Sequence, residues 1–319
     1  MRRYAILLAL VSLLSPLTVF SQTPEAAVNH FKNAIKKSGN GDLDGAIEDF
    51  TRAISLSSGF GTHKKTGKAA AGNSFTGSDE APGEEITIVD PFTANAYSNR
   101  GLARYRKGDY AGAIEDYNRA LRIRPGLAIA YVNRSAALHA SGDTAAAIKD
   151  LDKAISLDKD LAQAYNNRGI LNFDARNHEA ALADFNRTIE LNNKVADPFY
   201  HRGNTQLAMR SFDAAIADFD HAIKLDPGLA WAYHGRGSAW MAKGVMMRAM
   251  NDFNRALELN PNIAWAYLNR GLVWLFLGDE SKAQSDFVEC LKLKPELKPE
   301  VERRATLARH LHRIGQPPE

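Results

Sequence analysis

Asp197 and His201 stand four residues apart, one turn of a helix, and His234 lies 33 residues beyond His201, in the corresponding helical segment of the next repeated stretch. A carboxylate and two imidazoles are residue types that can hold zinc or exchange protons in acid–base catalysis. A different chemistry recurs in the same region. Asn99, Asn133, Asn167 and Asn269 each precede an arginine at one repeated spacing, and His201 and Gly235 fill the two intervening steps. Each carboxamide both donates and accepts a hydrogen bond, so such a ladder can hold the backbone of an extended peptide without reading its sequence. The alternative is that the asparagines satisfy backbone groups of their own neighbourhood. Trp231 and Trp265, with Tyr200, His234 and Leu268, make the later part of the chain more aromatic than the earlier part. Clustered aromatics form the energetic centres of protein interfaces; equally, the two tryptophans can pack on the preceding segment.

Other chemistries are missing. The chain holds no nucleophile elbow, no HExxH, no CxxC pair and no glycine-rich nucleotide signature. GTHKKTGKA, Gly61 to Ala69, approximates a phosphate-binding loop. Its glycines are one residue too far apart, Ala69 stands where Ser or Thr is needed, and no strand precedes it, so it reads as a solvated basic loop. The single cysteine, Cys290, excludes a disulfide framework and a cysteine-based metal site, and reads as a small buried apolar residue. The formal net charge is +3 over 319 residues. Without Arg2 and Arg3 it is 38 cations against 37 anions, and this near-neutral balance gives no reason to expect nucleic acid.

The elements that position these residues repeat. Six copies start at Ala94, Ala128, Ala162, Ala196, Ala230 and Ala264, each a step of 34 residues from the last, and a fixed period decides the fold. Each copy carries two apolar patterns at helical spacing around a short polar turn. The first helix has an aromatic at its fourth position (Tyr97, Tyr131, Tyr165, Phe199, Tyr233, Tyr267) and a small residue four later (Gly101, Ser135, Gly169, Gly203, Gly237, Gly271). The second has a small residue, then a large one (Tyr117, Leu151, Phe185, Phe219, Phe253, Phe287), then another small one. Large against small at matched heights makes two antiparallel helices interdigitate. The turns are Gly108-Asp109, Gly142-Asp143, Gly244-Val245 and Gly278-Asp279, with Arg176-Asn177 and Arg210-Ser211 as exceptions. Glycine suits the left-handed end of the first helix, Asp, Asn or Ser caps the second, and the two arginines must accept the left-handed conformation. The arginines following the asparagine column, Arg100 to Arg270, recur as faithfully as the aspartates Asp116 to Asp286 of the second helices. Equal recurrence of opposite charge predicts pairing between the helices, which fixes register more than it adds stability.

These columns, with Pro125, Pro227, Pro261 and Pro295 closing four copies, resemble the tetratricopeptide repeat family from Ala94 to Leu297. The resemblance implies an all-α fold, a right-handed superhelical solenoid of helix-turn-helix repeats with a C-terminal capping helix. It further implies that first helices line a concave groove and that the partners are other proteins or extended peptide segments. The asparagine column resembles the ladder in the repeat superhelix of the O-GlcNAc transferase family, with His201 and Gly235 as departures. Family members that receive chaperone tails grip a terminal carboxylate with groove lysines. The second-position residues here are Asn95, Ile129, Gln163, Asp197, Trp231 and Trp265, so that specificity is not expected.

Outside the repeats, residues 1–21 read as a secretory signal peptide: Met1-Arg2-Arg3, an apolar run from Tyr4 to Leu14, and Val19-Phe20-Ser21, with cleavage near Ser21. Residues 22–58 form a degenerate repeat in which His30 and Ala34 replace the aromatic and glycine. Residues 59–93 read as a flexible insert, 94–297 as the six repeats, and 298–319 as a capping helix and tail. In the cap, Val301, Ala305, Ala308 and Leu311 fall on one face, and Glu302, Arg303, Arg304, Arg309, His310 and Arg313 are assigned to a wet outer face. The reading is therefore an exported, periplasmic or extracellular, non-enzymatic interaction scaffold. It needs no cofactor and no membrane span after signal cleavage, and its oligomeric state is left open. Its peptide-binding candidates are Asn99, Asn133, Asn167, Tyr200, His201, Trp231, His234, Trp265 and Asn269. The alternative is a metal-dependent enzyme or carrier using Asp197, His201 and His234.

Overall fold

The structure, a computed structural model, describes residues 23–57 and 91–314. The expected signal peptide, the loop Gly61 to Ala69 and all but the last residues of the expected insert lie outside the described residues. Among the described residues every regular element is helical, in consecutive packed pairs. Two compact units divide the chain, residues 1–164 and 165–319.

The first unit holds α1 (Glu25–Gly39) with α2 (Leu43–Ser57), α3 (Pro91–Lys107) with α4 (Tyr110–Ile123), and α5 (Ala128–Ala140) with α6 (Thr144–Leu157). α3 begins three residues ahead of the expected repeat start, because Phe92 inserts its ring beside Phe31, centroids 5.3 Å apart, in the core of the first pair. That pair lacks an arginine in the recurrent column, and its Asp49 is held instead by Lys37 at 2.7 Å and His30 at 2.9 Å.

The second unit runs from α7 (Ala162–Asp174), cut by the division, through α8 (His178–Leu191), α9 (Ala196–Ala208), α10 (Phe212–Leu225), α11 (Ala230–Ala242), α12 (Met246–Leu259), α13 (Ala264–Phe276) and α14 (Glu280–Leu293). A short 3-10 turn, Pro295–Leu297, then leads into α15 (Lys298–Arg313). Val301, Ala305 and Ala308 of α15 are buried in the same cluster as Leu272, Leu275 and Phe287, so the last pair has its apolar side covered.

The small-residue column is a contact surface. A Cβ on Gly169 would stand 2.7 Å from the Phe185 ring, and one on Gly271 would stand 2.6 Å from Phe287, closer than any real side chain approaches. Where Leu151 replaces the aromatic, Ser135 replaces the glycine, and both are buried. An aliphatic partner in place of the ring leaves room for a hydroxymethyl group, which here bonds the Val132 carbonyl at 2.7 Å.

The turns close as the sequence predicts at Gly41, Gly108, Gly142, Gly244 and Gly278, all at positive φ, and also at Arg176 (φ 64°) and Arg210 (φ 61°). The amide after each reaches five residues back, as in Asp109 to Arg104 at 2.9 Å and Asn177 to Asn172 at 2.8 Å, which satisfies a helix-end carbonyl. Capping divides differently from expectation. Asp109, Asp143 and Asp279 each accept the amide three residues on at 2.9 to 3.0 Å, whereas Asn177 and Ser211 make no side-chain cap bond.

The recurrent charges pair as expected. Arg100, Arg134, Arg168, Arg202, Arg236 and Arg270 each hold the aspartate sixteen residues on with two nitrogens, at 2.6 to 3.0 Å. Each guanidinium also lies over the aromatic three residues before it, 5.3 to 5.7 Å from the centroid. The fourth-position aromatic is therefore a cation–π partner as well as an apolar filler. The third nitrogen links successive pairs: Arg134 reaches Asn118, Arg202 reaches Asn186, Arg236 reaches Asp220 and Arg270 reaches Asn254, all sixteen residues back.

Candidate functional site

The inner column of first helices was expected to carry any ligand. In the first unit Asn99 and Asn133 are buried, and Asn99 donates to the carbonyl of Asn95 one turn back at 3.0 Å. Asn167, in the second unit, is also buried. The two departures from asparagine have a packing cause that sequence alone did not reveal. His201 stacks on Phe185 of the preceding second helix, centroids 5.6 Å and planes 17° apart. At Gly235 a Cβ would lie 2.5 Å from Phe219, so the ring has taken the space that an asparagine fills elsewhere.

The proposed metal set is not assembled, which corrects the alternative reading. His201 is enclosed by Phe185 and Tyr200, and burial pushes its imidazole down to about 4. His234 lies against Phe253 and Trp231, and burial pushes it to about 4 as well. A neutral His234 accepts at Nε2 from Asn269 Nδ2 at 3.2 Å. Asp197 is shifted up by burial and by Asp226. Among the described residues no three His, Cys, Asp or Glu come together as a metal site. Burial also raises Tyr200 to about 12 and the enclosed Cys290 thiol to about 11, away from reactive forms.

Trp231 and Trp265 pack against Ala230, Leu257, Ile263 and Ala266, each partly exposed. Their indoles thus serve the packing between pairs while leaving an edge at the surface.

Asn269 lines a cavity of about 480 Å³ in the second unit. The walls are Leu207 of α9, Ser238, Met241 and Ala242 of α11, Leu272 and Phe276 of α13, and α15. Apolar walls with a few convergent polar groups are what a ligand site offers. Among the polar groups of the lining, Arg303 is bonded to Glu300 and the other three form one chain: Arg304 Nη1 donates to Asn269 Oδ1 at 3.2 Å, Asn269 Nδ2 donates to Ser238 Oγ at 3.2 Å and to His234, and Ser238 donates to the His234 carbonyl at 2.9 Å. Arg304 was assigned to the wet face of α15. It instead faces inward, and its place three residues after buried Val301 was the signal for it. Ser238 was not singled out from sequence; it shares the ninth repeat position with Leu272, on the same stripe as Asn269.

Comparison with protein families matches the description "Tetratricopeptide repeat" over residues 94–127, 196–229 and 266–297, and "TPR repeat" over 136–175. The chain belongs to the tetratricopeptide repeat family. Comparison with curated proteins gives no match. Among solved structures, this tetratricopeptide repeat protein is similar to one from Parabacteroides merdae, with 19% identity, 89% of this chain and 100% of that one covered, and a TM-score of 0.61. It is also similar to Cut9 with Hcn1 of the APC/C, with 18% identity, 66% and 42% covered, and a TM-score of 0.60. YrrB, described as a TPR protein with an unusual peptide-binding site, shares 22% identity over 62% of this chain and all of its own, with a TM-score of 0.50. These likenesses show the fold. Among the described residues no helix is long and apolar enough to cross a membrane.

Proposed function

We propose that this tetratricopeptide repeat protein is a non-enzymatic scaffold that binds a peptide segment of another protein along its first helices. The observation that carries this reading is the cavity lined by α9, α11, α13 and α15, where apolar walls surround the Arg304–Asn269–Ser238 chain. The peptide-binding site described for YrrB is in keeping with it. Asn269, His234, Tyr200, Trp231 and Trp265 belong to the proposed surface, Asn167 and His201 continue its column within the second unit, and Asn99 and Asn133 occupy the same column of the first unit.

The test is selection of a random peptide library on the full chain, followed by affinities for Asn133→Ala/Asn167→Ala and Trp231→Ala/Trp265→Ala. Backbone contacts predict that the asparagine pair weakens every selected peptide alike, by about 1–3 kcal/mol. Side-chain pockets at the tryptophans predict a loss of about 2 kcal/mol or more for some peptides and little for others. A selection that enriches nothing over a chain with its cavity filled by Ser238→Trp would overturn the proposal. We also read the chain as exported, on the strength of Arg2, Arg3, the apolar run and Ser21. Amino-terminal sequencing of the protein from its native host should begin near Gln22, and retention of Met1 would contradict export by cleavage.

A further inference from the structure

Two cations of α15, Arg303 and Arg304, line the cavity in the second unit, and Arg304 has a neutral group as its hydrogen-bond partner there. Arg304 gives Nη1 to the neutral Asn269 carboxamide at 3.2 Å, while its nearest carboxylate, Glu300, stays 3.8 Å from Nε. Glu300 is engaged elsewhere: Arg303 grips both of its oxygens, at 2.8 and 3.0 Å, and holds its carboxyl below the usual range. This differs from the six recurrent arginines, each of which has a bidentate aspartate of its own. The helices facing α15 add no countercharge, since α9, α11 and α13 line the cavity with Leu207, Ser238, Met241, Ala242, Asn269, Leu272 and Phe276. Desolvation lowers the affinity of the Arg304 guanidinium for its proton, and an anion would offset that penalty. Apolar groups lie across from Arg304, as Leu207 and Met241, and beside it on its own helix, as Leu307 and Leu311. Leu307 is 51% exposed, a large apolar side chain left at the rim with nothing covering it.

We infer that this cavity selects peptides in which an acidic side chain is flanked by large apolar residues, with Arg304 taking the carboxylate and Leu207, Met241, Phe276 and Leu307 taking the flanks. The inference rests on the peptide-scaffold reading and names the sequence class which that reading leaves open. The guanidinium fork matches one carboxylate, and the neutral Asn269 keeps the fork oriented without cancelling its charge. Apolar walls on both sides of the cation favour an internal acidic residue over a chain end.

The test is fluorescence anisotropy with four short labelled peptides on the full chain. Three are blocked at both ends and share an apolar frame, with Glu, Gln or Lys at the centre; the fourth has the Gln centre and a free carboxyl terminus. The Glu peptide should bind about tenfold tighter than the Gln peptide, the gain of one charge-assisted contact, and the Lys peptide should bind weakest. Arg304→Gln should erase the Glu-over-Gln preference, Arg309→Gln, which removes a cation of α15 outside the cavity lining, should retain it, and Leu307→Gln should weaken the Glu and Gln peptides equally. Thermal melts accompany each variant, and Arg304→Lys, which keeps the charge and the stem, should show an intermediate preference if Arg304→Gln does not fold. Equal binding of Glu and Gln peptides, a preference that survives Arg304→Gln, or a free-terminus peptide that matches the Glu peptide would each overturn the inference while leaving the scaffold reading in place. Failure of all four to bind would overturn it too, and the library selection then decides separately whether the scaffold reading stands.

Discussion

Arg202 holds Asp218, sixteen residues ahead, at 2.6 and 2.7 Å, and its remaining nitrogen reaches Asn186, sixteen residues behind, at 2.7 Å. One guanidinium thus fixes the register within a helix pair and between that pair and the one before it. The aspartate is nearly inaccessible, so removing only the arginine leaves an uncompensated buried charge. Arg202→Met should cost about 3 kcal/mol in chemical denaturation, whereas Arg202→Met/Asp218→Leu should cost clearly less. Asn186→Ala, losing an exposed bond from the guanidinium that water can replace, should cost under about 1 kcal/mol. A double variant as unstable as the single one would show that the pair itself, and not the orphaned charge, sets the loss.

Arg176 and Arg210 adopt φ 64° and 61° where the other turns use glycine. Arg176→Gly should therefore raise the denaturation midpoint, by a few tenths to about 1 kcal/mol. Arg210→Gly should gain less, because the Arg210 guanidinium lies 5.6 Å from the Phe212 centroid and that contact is lost. Equal gains at both positions would remove the cation–π contact from the account.

Gly235 looks from sequence like a missing asparagine, and Gly235→Asn would complete the column. With Phe219 only 2.5 Å from a built Cβ, that substitution should instead destabilise by about 1–3 kcal/mol through overpacking. Adding Phe219→Leu should recover part of the loss, a coupling that a double-mutant cycle reads directly.

Acid should weaken the second unit through two histidines. His201 and His234 drop from 6.5 to about 4 on folding, so the unfolded chain binds their protons first. Their contribution is unchanged above about pH 6.5 and is lost as pH falls from there toward 4, by on the order of 2 kcal/mol for each at full burial. Asp197 works in the opposite direction, its raised value favouring the fold as it protonates. His201→Phe, which keeps the stack on Phe185, should flatten the stability curve between pH 6.5 and 4; an unchanged slope would place the proton uptake elsewhere.

The period of 34 residues, the small-against-large columns and the matched recurrence of Arg and Asp were legible in the sequence because each is a local pattern repeated with one geometry. When every copy has the same neighbours, spacing along the chain translates directly into height along a helix pair, and opposite charges at equal recurrence must meet. The left-handed arginines followed from their alignment with glycine. What the sequence left undecided lay where copies differ or end. His201 and Gly235 are explained by Phe185 and Phe219 of the preceding second helices, contacts between pairs that depend on how closely the helices approach. Arg304 turns inward because α15 follows the last pair after a 3-10 turn, outside the 34-residue register, so no column could say which of its faces would meet α13. The cavity beside it belongs to four helices at once, and only their packing decides that Asn269, Ser238 and Arg304 come within hydrogen-bonding distance.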